Sequence, residues 1–282
     1  MTEAVRAFSA LLDDAAVFPP GNLPLAEAVT AHHGHRRSAY AELVGPLVLP
    51  AAAALGALEP LLEAGTAPLV LSLTLPGEPA AVAPAVAAAA ALDTVTLAAV
   101  ETPLAAGTQI GELLGVLDAA LPDGVAGYVE VPRDERGGAV LDALAGSRHR
   151  AKFRTGGLVP QAHPSEAELA GLLAGAVARG LTFKCTAGLH HAIRHTDGEL
   201  EQHGFLNVLL ATEAALRGAP PEELAALLAQ RDAAAVAGQV AGLADDRLAA
   251  ARASFTSFGT CSVADPCHDL VRLGLLPATA AP

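Results

Sequence analysis

Short strand-like runs that alternate with longer helical stretches rich in alanine and leucine are the feature that most constrains the fold of this chain. Eight such runs occur, at residues 15–18, 46–50, 67–76, 93–101, 125–132, 150–157, 181–188 and 251–262. Alternation of this kind is typical of βα units that build a parallel sheet. Eight units within 282 residues predict a (β/α)8 barrel, also called a TIM barrel.

An open, doubly wound sheet has the same local pattern and is the alternative fold. Neither a G-x-G-x-x-G nor a G-x-x-x-x-G-K-[ST] motif follows any of the eight runs, so the two usual nucleotide-binding loops are absent from the sequence. We expect a single domain over residues 1–282 with an amino-terminal helix before the first strand. The long interval between the seventh and eighth runs predicts an enlarged loop with extra helices at residues 189–250.

Charge and cysteine content indicate which partners the chain has. A net charge of −13 argues against nucleic acid and favours a small-molecule partner. Three cysteines are too few for a disulfide framework, which indicates a reducing compartment. The first residues lack the pattern of a signal peptide, and the longest apolar stretch is too short to cross a membrane. We therefore expect a cytoplasmic protein that does not contact membranes; the oligomeric state stays open, with a homo-oligomer as one option.

Charged side chains at the ends of the predicted fifth, sixth and seventh strands indicate the active site. In a (β/α)8 barrel the active site lies at the carboxyl-terminal ends of the strands, and alternate side chains point into the barrel. This alternation places Glu130, Lys152, Arg154 and Lys184 inside. A layer of structural salt bridges is the alternative interpretation. Three cations against one carboxylate favour a binding site for an anionic substrate.

These cations suggest two chemical roles. Arg154 can bind a carboxylate or phosphate through its two-pronged guanidinium group. A lysine that is crowded by other cations in a desolvated pocket has a lowered pKa and can attack a carbonyl group to form a Schiff base. We assign Lys184 as this nucleophile and Lys152 as the neighbour that lowers its pKa, although the two roles could be reversed.

The stretch "FKCTAG" (183–188) resembles the lysine-bearing strand motif F-[IV]-K-T-S-T-G of deoxyribose-phosphate aldolases, which are (β/α)8 enzymes. The passage "AKFRTGGL…AVARGLTFKCTAG" is similar to the strand–helix–strand unit of that family, and "FGTCS" (258–262) is similar to its late phosphate-binding turn. The resemblance implies that Lys184 is the Schiff-base lysine. It also implies a phosphate site in the turn formed by Gly259, Thr260 and Ser262.

The same turn has properties of its own that suit an anion. It runs from the eighth strand towards a helix, with Ser262 or Asp265 as the expected N-cap. Free backbone N–H groups and hydroxyls at such a position can hold an oxyanion or a phosphate. The alternative is an ordinary capped turn.

Three histidines directly follow the seventh strand, in "LHHAIRH" (189–195). Histidine suits proton transfer because its ordinary pKa is close to physiological pH. Histidines four residues apart on a helix can also chelate a metal. The H-E-x-x-H pattern of zinc peptidases is not met. We expect general acid–base catalysis or substrate contacts, and the alternative is a divalent metal site made of His190, His191, His195 and Glu130.

A few further polar residues complete the set of candidates. Arg194 is expected to contact an anion, and Asn22 is expected to hydrogen-bond substrate at the catalytic end. The cluster "HHGHRR" (32–37) is interpreted as the solvated face of an outer helix. Asp13 and Asp14, placed ahead of the first strand, are weak candidates.

The sequence thus predicts an enzyme that acts on a small anionic carbonyl compound. We expect an aldolase-like lyase or an isomerase that works through a lysine Schiff base without a cofactor, with Glu130 and a histidine moving protons. A metal-dependent hydrolase, lyase or isomerase built on the histidine cluster is the first alternative. A barrel that binds a metabolite without catalysis is the second.

Overall fold

A closed barrel of eight parallel strands forms the centre of the molecule, as seen in a computed structural model that describes residues 7–62 and 68–282. The barrel strands are β1 (Leu12–Asp14), β2 (Val44–Pro50), β3 (Leu69–Thr74), β4 (Val95–Pro103), β5 (Ala126–Glu130), β6 (Arg150–Arg154), β7 (Phe183–Thr186) and β10 (Phe255–Thr260). They follow one another around the barrel in chain order, and β10 closes it between β7 and β1. The predicted (β/α)8 fold is therefore confirmed.

Helices follow the strands and pack around them. They are α1 (Leu25–His35), α2 (Ala51–Leu58), α3 (Val82–Ala90), α4 (Ile110–Ala120), α5 (Gly137–Ala145), α6 (Glu166–Ala178), α7 (Phe205–Leu216), α8 (Pro221–Ala229), α9 (Ala233–Ala241), α10 (Asp245–Ser254) and α11 (Ala264–Arg272). Part of the expected amino-terminal helix falls on residues 1–6, which lie outside the described residues; residues 8–14 form a turn and β1 instead. No helix in the described part of the chain is both long and apolar enough to cross a membrane.

The enlarged segment after β7 contains additional helices, as predicted, and also a short hairpin. Strands β8 (His195–Asp197) and β9 (Leu200–Gln202) pair in antiparallel fashion outside the barrel. Helix α7 follows, and ten of its twelve residues are buried. A helix that is apolar on most sides must be covered by other elements. This insertion therefore forms a second layer around part of the barrel.

The alternation of side chains along β6 and β7 is also as expected. Phe153 and Phe183 are fully buried, with ring centroids 5.2 Å apart on the helix-facing side of the barrel. Residues of opposite parity, Lys152 and Lys184, are register partners across the two strands. Because neighbours along a strand point to opposite faces, both lysines face the barrel interior.

The first strand is not where the sequence predicted it. Residues 15–18 form a turn, and β1 lies just before them. Strand β1 consists of "LDD", and its two carboxylates are buried because each has a partner inside the fold. Asp14 lies 3.0 Å from Nδ1 of His32 on α1. The interpretation of 32–37 as a solvated face is therefore wrong for His32, which is 1% exposed.

Candidate active site

Two neighbouring lysines occupy the middle of the barrel, at matching positions of β6 and β7. The side chains of Lys152 and Lys184 are only 6% and 2% exposed. Lysine normally keeps its ammonium group in water, because transfer of an ion into the protein interior costs several kcal/mol. The chain has two lysines and fifteen arginines, so both of its lysines lie in this interior position.

Lys184 lies between two carboxylates that come from distant strands. Its Nζ donates hydrogen bonds to Asp13 on β1 and to Oε1 of Glu101 on β4, the latter at 2.6 Å. Both carboxylates are held by serine hydroxyls: Ser257 donates to Asp13 at 2.8 Å and Ser72 donates to Glu101 at 2.6 Å. Fixed acceptors of this kind hold the ammonium group in one position.

Lys152 extends this arrangement towards the carboxyl-terminal end of the barrel. Its Nζ lies 3.0 Å from Oε2 of Glu101 and 3.3 Å from Oε2 of Glu130. Glu130 in turn accepts a hydrogen bond from Nε of Arg154 at 2.8 Å. We call the resulting series the ion-pair chain; its members, in order, are Asp13, Lys184, Glu101, Lys152, Glu130 and Arg154.

The charges of the ion-pair chain balance, with three cations and three carboxylates. The sequence-based count of three cations to one carboxylate was wrong, because it omitted Asp13 and Glu101. Burial alone would lower the pKa of Lys184, but the adjacent carboxylates of Asp13 and Glu101 raise it above the ordinary value. The predicted lowering of the Lys184 pKa is therefore wrong.

The two carboxylates differ in how readily they accept a proton. Burial raises the pKa of Asp13, and this effect exceeds the opposing influence of Lys184. Burial also acts to raise the pKa of Glu101, but the ammonium groups of Lys184 and Lys152 together bring it well below its usual range. Of the two groups that contact Lys184, Asp13 is thus the better proton acceptor.

Asp13 and Glu101 are site residues that the sequence-based prediction misses, although the sequence holds signals for them. Glu101 is the last residue of the fourth strand-like run, and Glu130 lies close to the end of the fifth. Asp13 belongs to β1, which the sequence placed a few residues too late. The two lysines at inward-facing strand positions are a further signal, since buried charged side chains require nearby counter-charges.

A cavity of about 740 Å³ opens above the ion-pair chain at the carboxyl-terminal end of the barrel. A volume of this size suits a small ligand. Five members of the ion-pair chain line this cavity. Four of them were predicted from the sequence, namely Glu130, Lys152, Arg154 and Lys184, and the fifth is Glu101. Arg154 lies at its mouth with 45% of its side chain exposed.

Three histidines also line this cavity, as the sequence suggested. Nδ1 of His191 lies 3.1 Å from a carboxylate oxygen of Asp269 on α11, and this hydrogen bond raises the pKa of His191. His195 meets His191 edge-on, with ring centroids 4.8 Å apart, and burial lowers its pKa. His190 lies 3.4 Å from the sulfur of Cys261, and burial lowers its pKa as well.

The alternative metal site is not assembled. Among the residues that the structure describes, no group of three or more histidine, cysteine or acidic side chains has a geometry that could hold a metal ion. The three histidines contact different partners, namely Cys261, Asp269 and the backbone oxygen of Ile193. Glu130 is bound to Lys152 and Arg154 instead of to a histidine.

Two further candidates lie elsewhere. Arg194 is buried in the insertion, where its Nη2 contacts Glu166 at 2.7 Å and Glu201 at 3.1 Å. It is not among the residues that line the cavity. Asn22 is exposed, has a positive φ of 49°, and donates a hydrogen bond to the backbone oxygen of Pro20. Neither residue is brought to the ion-pair chain.

The turn after β10 has internal hydrogen bonds of its own. Thr260 donates to the backbone oxygen of Ser262 at 2.9 Å, and the Ser262 hydroxyl accepts from the backbone N–H of Asp265 at 3.3 Å. Gly259 and Asp265 line the cavity. The two hydroxyls that are candidates for phosphate binding are thus hydrogen-bonded within the turn. The N-cap residue of α11 is Val263, which makes no side-chain cap hydrogen bond, so the expectation of Ser262 or Asp265 as the N-cap is wrong.

Comparison of the sequence with protein-family models and with curated proteins gives no match. No family assignment therefore supports the resemblance to deoxyribose-phosphate aldolases, and arguments about function depend on the site itself.

Proposed function

We propose that this chain is an enzyme that forms a Schiff base between Lys184 and a small anionic carbonyl compound, in the manner of an aldolase-like lyase or an isomerase. One observation carries the proposal. The two lysines of the chain are both buried in the ion-pair chain, and both line an open cavity. Buried cations that serve only stability are replaceable by apolar side chains at little cost, so their placement beside a cavity favours a chemical role.

The ion-pair chain provides a route for the proton that Lys184 must lose. As an ammonium ion Lys184 is not nucleophilic, and Asp13, the carboxyl group with the raised pKa, can accept its proton. The neutral amine then attacks the carbonyl carbon, and the carbonyl oxygen takes up two protons in total and leaves as water. The ammonium ion and the carbonyl compound thus give an iminium ion and one water molecule, with no net change of charge.

Charge conservation is the reason that this environment suits the reaction. The iminium nitrogen carries the same positive charge as the ammonium group, so Asp13 and Glu101 keep their counter-ion throughout. Preorganised carboxylates stabilise a developing cation without reorganising around it. Lys152 keeps Glu101 ionised, which makes it a positioning residue in this scheme.

The upper part of the cavity supplies substrate contacts. Arg154 lies at the mouth and can bind a carboxylate or phosphate of the substrate. Glu130 and His191 are the groups proposed to move protons on the bound substrate, since both line the cavity. No cofactor is needed for this chemistry. The motif resemblance adds support only for the kind of chemistry, since Lys184 lies on the seventh barrel strand whereas the family has its lysine on the sixth.

Reductive trapping tests the proposal. The protein is incubated with pyruvate, glycolaldehyde phosphate or acetaldehyde, treated with sodium borohydride, and analysed by intact mass and peptide mapping. We expect one adduct, on Lys184, with at least one of the anionic compounds. The position of the adduct is easy to assign, because the other amines of the chain are those of Lys152 and the amino terminus.

Two variants serve as controls for the trapping experiment. Lys184→Met must abolish the adduct, and Lys152→Arg, which keeps the charge beside Glu101, must retain it. A folded protein that gives no adduct with any of the three compounds, or an adduct on Lys152, contradicts the proposal. The first of these results favours a barrel that only binds a metabolite.

A further inference from the structure

A second cavity, of about 650 Å³, enters the barrel from the opposite, amino-terminal end. Asp13 and Lys184 line its inner end, and Tyr128, Arg150 and Thr256 line it nearer the opening. This end of a (β/α)8 barrel is ordinarily filled by layers of bulky branched side chains and serves stability. A cavity in that position therefore needs an explanation from the residues around it.

Small side chains on four strands leave this space open. Ser72, Ala98, Ala99, Ala126 and Ser257 occupy lining positions where barrels usually carry valine, isoleucine or leucine. The pairing of β3 with β4 shifts register between Leu97 and Ala99. Such a bulge lets successive residues turn towards the same side, which accounts for Ala98 and Ala99 both lining the cavity.

Polar groups converge at one place on the wall of this cavity. Nη1 of Arg150 donates to the hydroxyl of Tyr128 at 3.1 Å, and that hydroxyl lies 3.3 Å from Oγ1 of Thr256. Thr256 donates onward to the backbone oxygen of Phe183. Arg150 has five N–H donors, and within residues 7–62 and 68–282 its side chain makes no ion pair with a carboxylate. Its remaining donors are available to a ligand.

The charge of this end of the barrel is positive. Arg252 also lines the cavity, where its guanidinium group donates to backbone oxygens of Ala7, Ser9 and Thr256 and, in the described part of the chain, pairs with no acid. Burial lowers its pKa to about 10, so it stays charged at neutral pH. Asp13 is neutralised by Lys184, which leaves the exposed Asp245 as the one other carboxylate among the described lining residues.

We infer that the amino-terminal cavity is a second binding site, for a small organic monocarboxylate with an apolar body. The carboxylate binds the guanidinium group of Arg150, and the apolar body lies among Ala98, Ala99, Ala126 and Leu248. An apolar pocket with a few convergent polar groups is the usual form of a small-molecule site. Arginine is the side chain best shaped to bind a carboxylate through two parallel hydrogen bonds. This inference is independent of the Schiff-base proposal.

Tyrosine signals give a site-specific readout of this binding. The chain has two tyrosines, Tyr40 and Tyr128, and no tryptophan. Ring-labelled tyrosine therefore gives two sets of NMR signals, which a Tyr40→Phe variant assigns. Titration with benzoate is expected to shift the signals of Tyr128 with a dissociation constant tighter than about 1 mM and to leave those of Tyr40 in place. The neutral isostere benzamide is expected to shift Tyr128 far less.

Two arginines on the same strand provide the matched variants. Arg150→Gln is expected to weaken benzoate binding by about tenfold or more, since it removes a charge-assisted hydrogen-bond donor. Arg154 lies four residues further along β6, at the other cavity. Arg154→Gln is therefore expected to leave unchanged the midpoint, that is, the benzoate concentration at which the Tyr128 signals are half shifted. Ala126→Leu is expected to block binding by filling the space. A circular-dichroism spectrum checks that each variant is folded.

Several results would overturn the inference. One is a wild-type protein in which benzoate at about 10 mM leaves the Tyr128 signals in place. Another is a midpoint that is the same in folded Arg150→Gln as in the wild type. A third is a midpoint that weakens in Arg154→Gln instead, because benzoate then occupies the carboxyl-terminal cavity. None of these results bears on whether Lys184 forms a Schiff base.

Discussion

Strand β6 carries arginine at both of its ends and lysine between them, and the two arginines have different surroundings. Arg154, at the carboxyl-terminal cavity, is paired with Glu130 at 2.8 Å. Arg150, at the amino-terminal cavity, contacts a neutral hydroxyl on Tyr128 and, within the described residues, has no acidic partner. Strand β6 thus carries one arginine that belongs to the charge-balanced ion-pair chain, Arg154, and one that does not, Arg150.

This difference matches the two roles proposed above. At the carboxyl-terminal end, carboxylates and histidines line the same cavity, which suits the proposed proton transfers. At the amino-terminal end the wall is mostly apolar and the spare charge is positive, which suits binding. Lys184 lines both cavities, so it is the point at which the two regions meet.

The largest expected effect comes from Glu101, which two lysines share. Glu101→Gln leaves Lys184 and Lys152 buried with one fewer carboxylate, and we expect a loss of about 3–5 kcal/mol in the free energy of unfolding. Urea denaturation measures it. The control is Asp142→Asn, since Asp142 is an exposed partner of Arg179 and its loss should cost at most about 1 kcal/mol. Equal effects of the two changes would contradict a tightly coupled ion-pair chain.

A smaller loss of stability is expected at Gly45 on β2. A Cβ atom there would lie 2.3 Å from a carboxylate oxygen of Asp13, so Gly45→Ala must displace that carboxylate. We expect a cost of about 1–3 kcal/mol, measured by urea denaturation. Gly34 lies in α1 with nothing within 4 Å of its added Cβ. Gly34→Ala should therefore stabilise the protein by up to about 1 kcal/mol, and a Gly45 variant as stable as the wild type would argue against this position for Asp13.

Arg154 tests whether the carboxyl-terminal cavity selects anionic compounds. Arg154→Gln is expected to slow the trapping of pyruvate by about three- to tenfold, because an exposed arginine contributes a modest, partly screened attraction. Trapping of neutral acetaldehyde should be unaffected. Arg179→Gln, at the carboxyl-terminal end of the outer helix α6, is the control for loss of a positive charge. Equal slowing with both carbonyl compounds would mean that Arg154 acts on structure and does not recognise the anion.

The smallest effect concerns the histidines, which distinguish the two ends further. Asp269 raises the pKa of His191, so the bond between them stabilises the fold below the ordinary histidine pKa and this contribution is lost as the pH rises through the raised value. Asp269→Asn should lower the pKa of His191 and destabilise the protein more in mildly acidic than in alkaline solution. Histidine ring NMR signals followed through a pH titration check the first expectation, and an unchanged pKa would contradict it.

The fold could be predicted from the sequence because it depends on a repeated local pattern. Seven of the eight strand-like runs overlap the observed barrel strands, and alternation along β6 and β7 correctly placed Lys152, Arg154 and Lys184. The strand that was misplaced, β1, is three residues long and two of them are aspartate. Propensity argues against such a strand, and only partners elsewhere in the fold make it possible.

The candidate site was less predictable because its charges are compensated across the barrel. Glu101 is 83 residues from Lys184 in the chain and Asp13 is 171 residues away, and a pattern within one strand cannot indicate either contact. The prediction that Arg194 contacts the substrate fails because the segment around it is irregular. Arg194 lies in the irregular insertion between β7 and β8, which turns it towards Glu166 and Glu201.

The state of the two lysine nitrogens tests the central claim most directly. Lysine labelled with ¹³C at Cε gives two side-chain signals, because the chain contains Lys152 and Lys184 alone, and the Lys152→Arg variant assigns them. At neutral pH both signals should be those of ammonium groups. On addition of a carbonyl compound that is trapped by borohydride, the Lys184 signal should move to the position of a methylene carbon bonded to an iminium nitrogen, while the Lys152 signal stays. A shift of Lys152 with Lys184 unchanged would contradict the account.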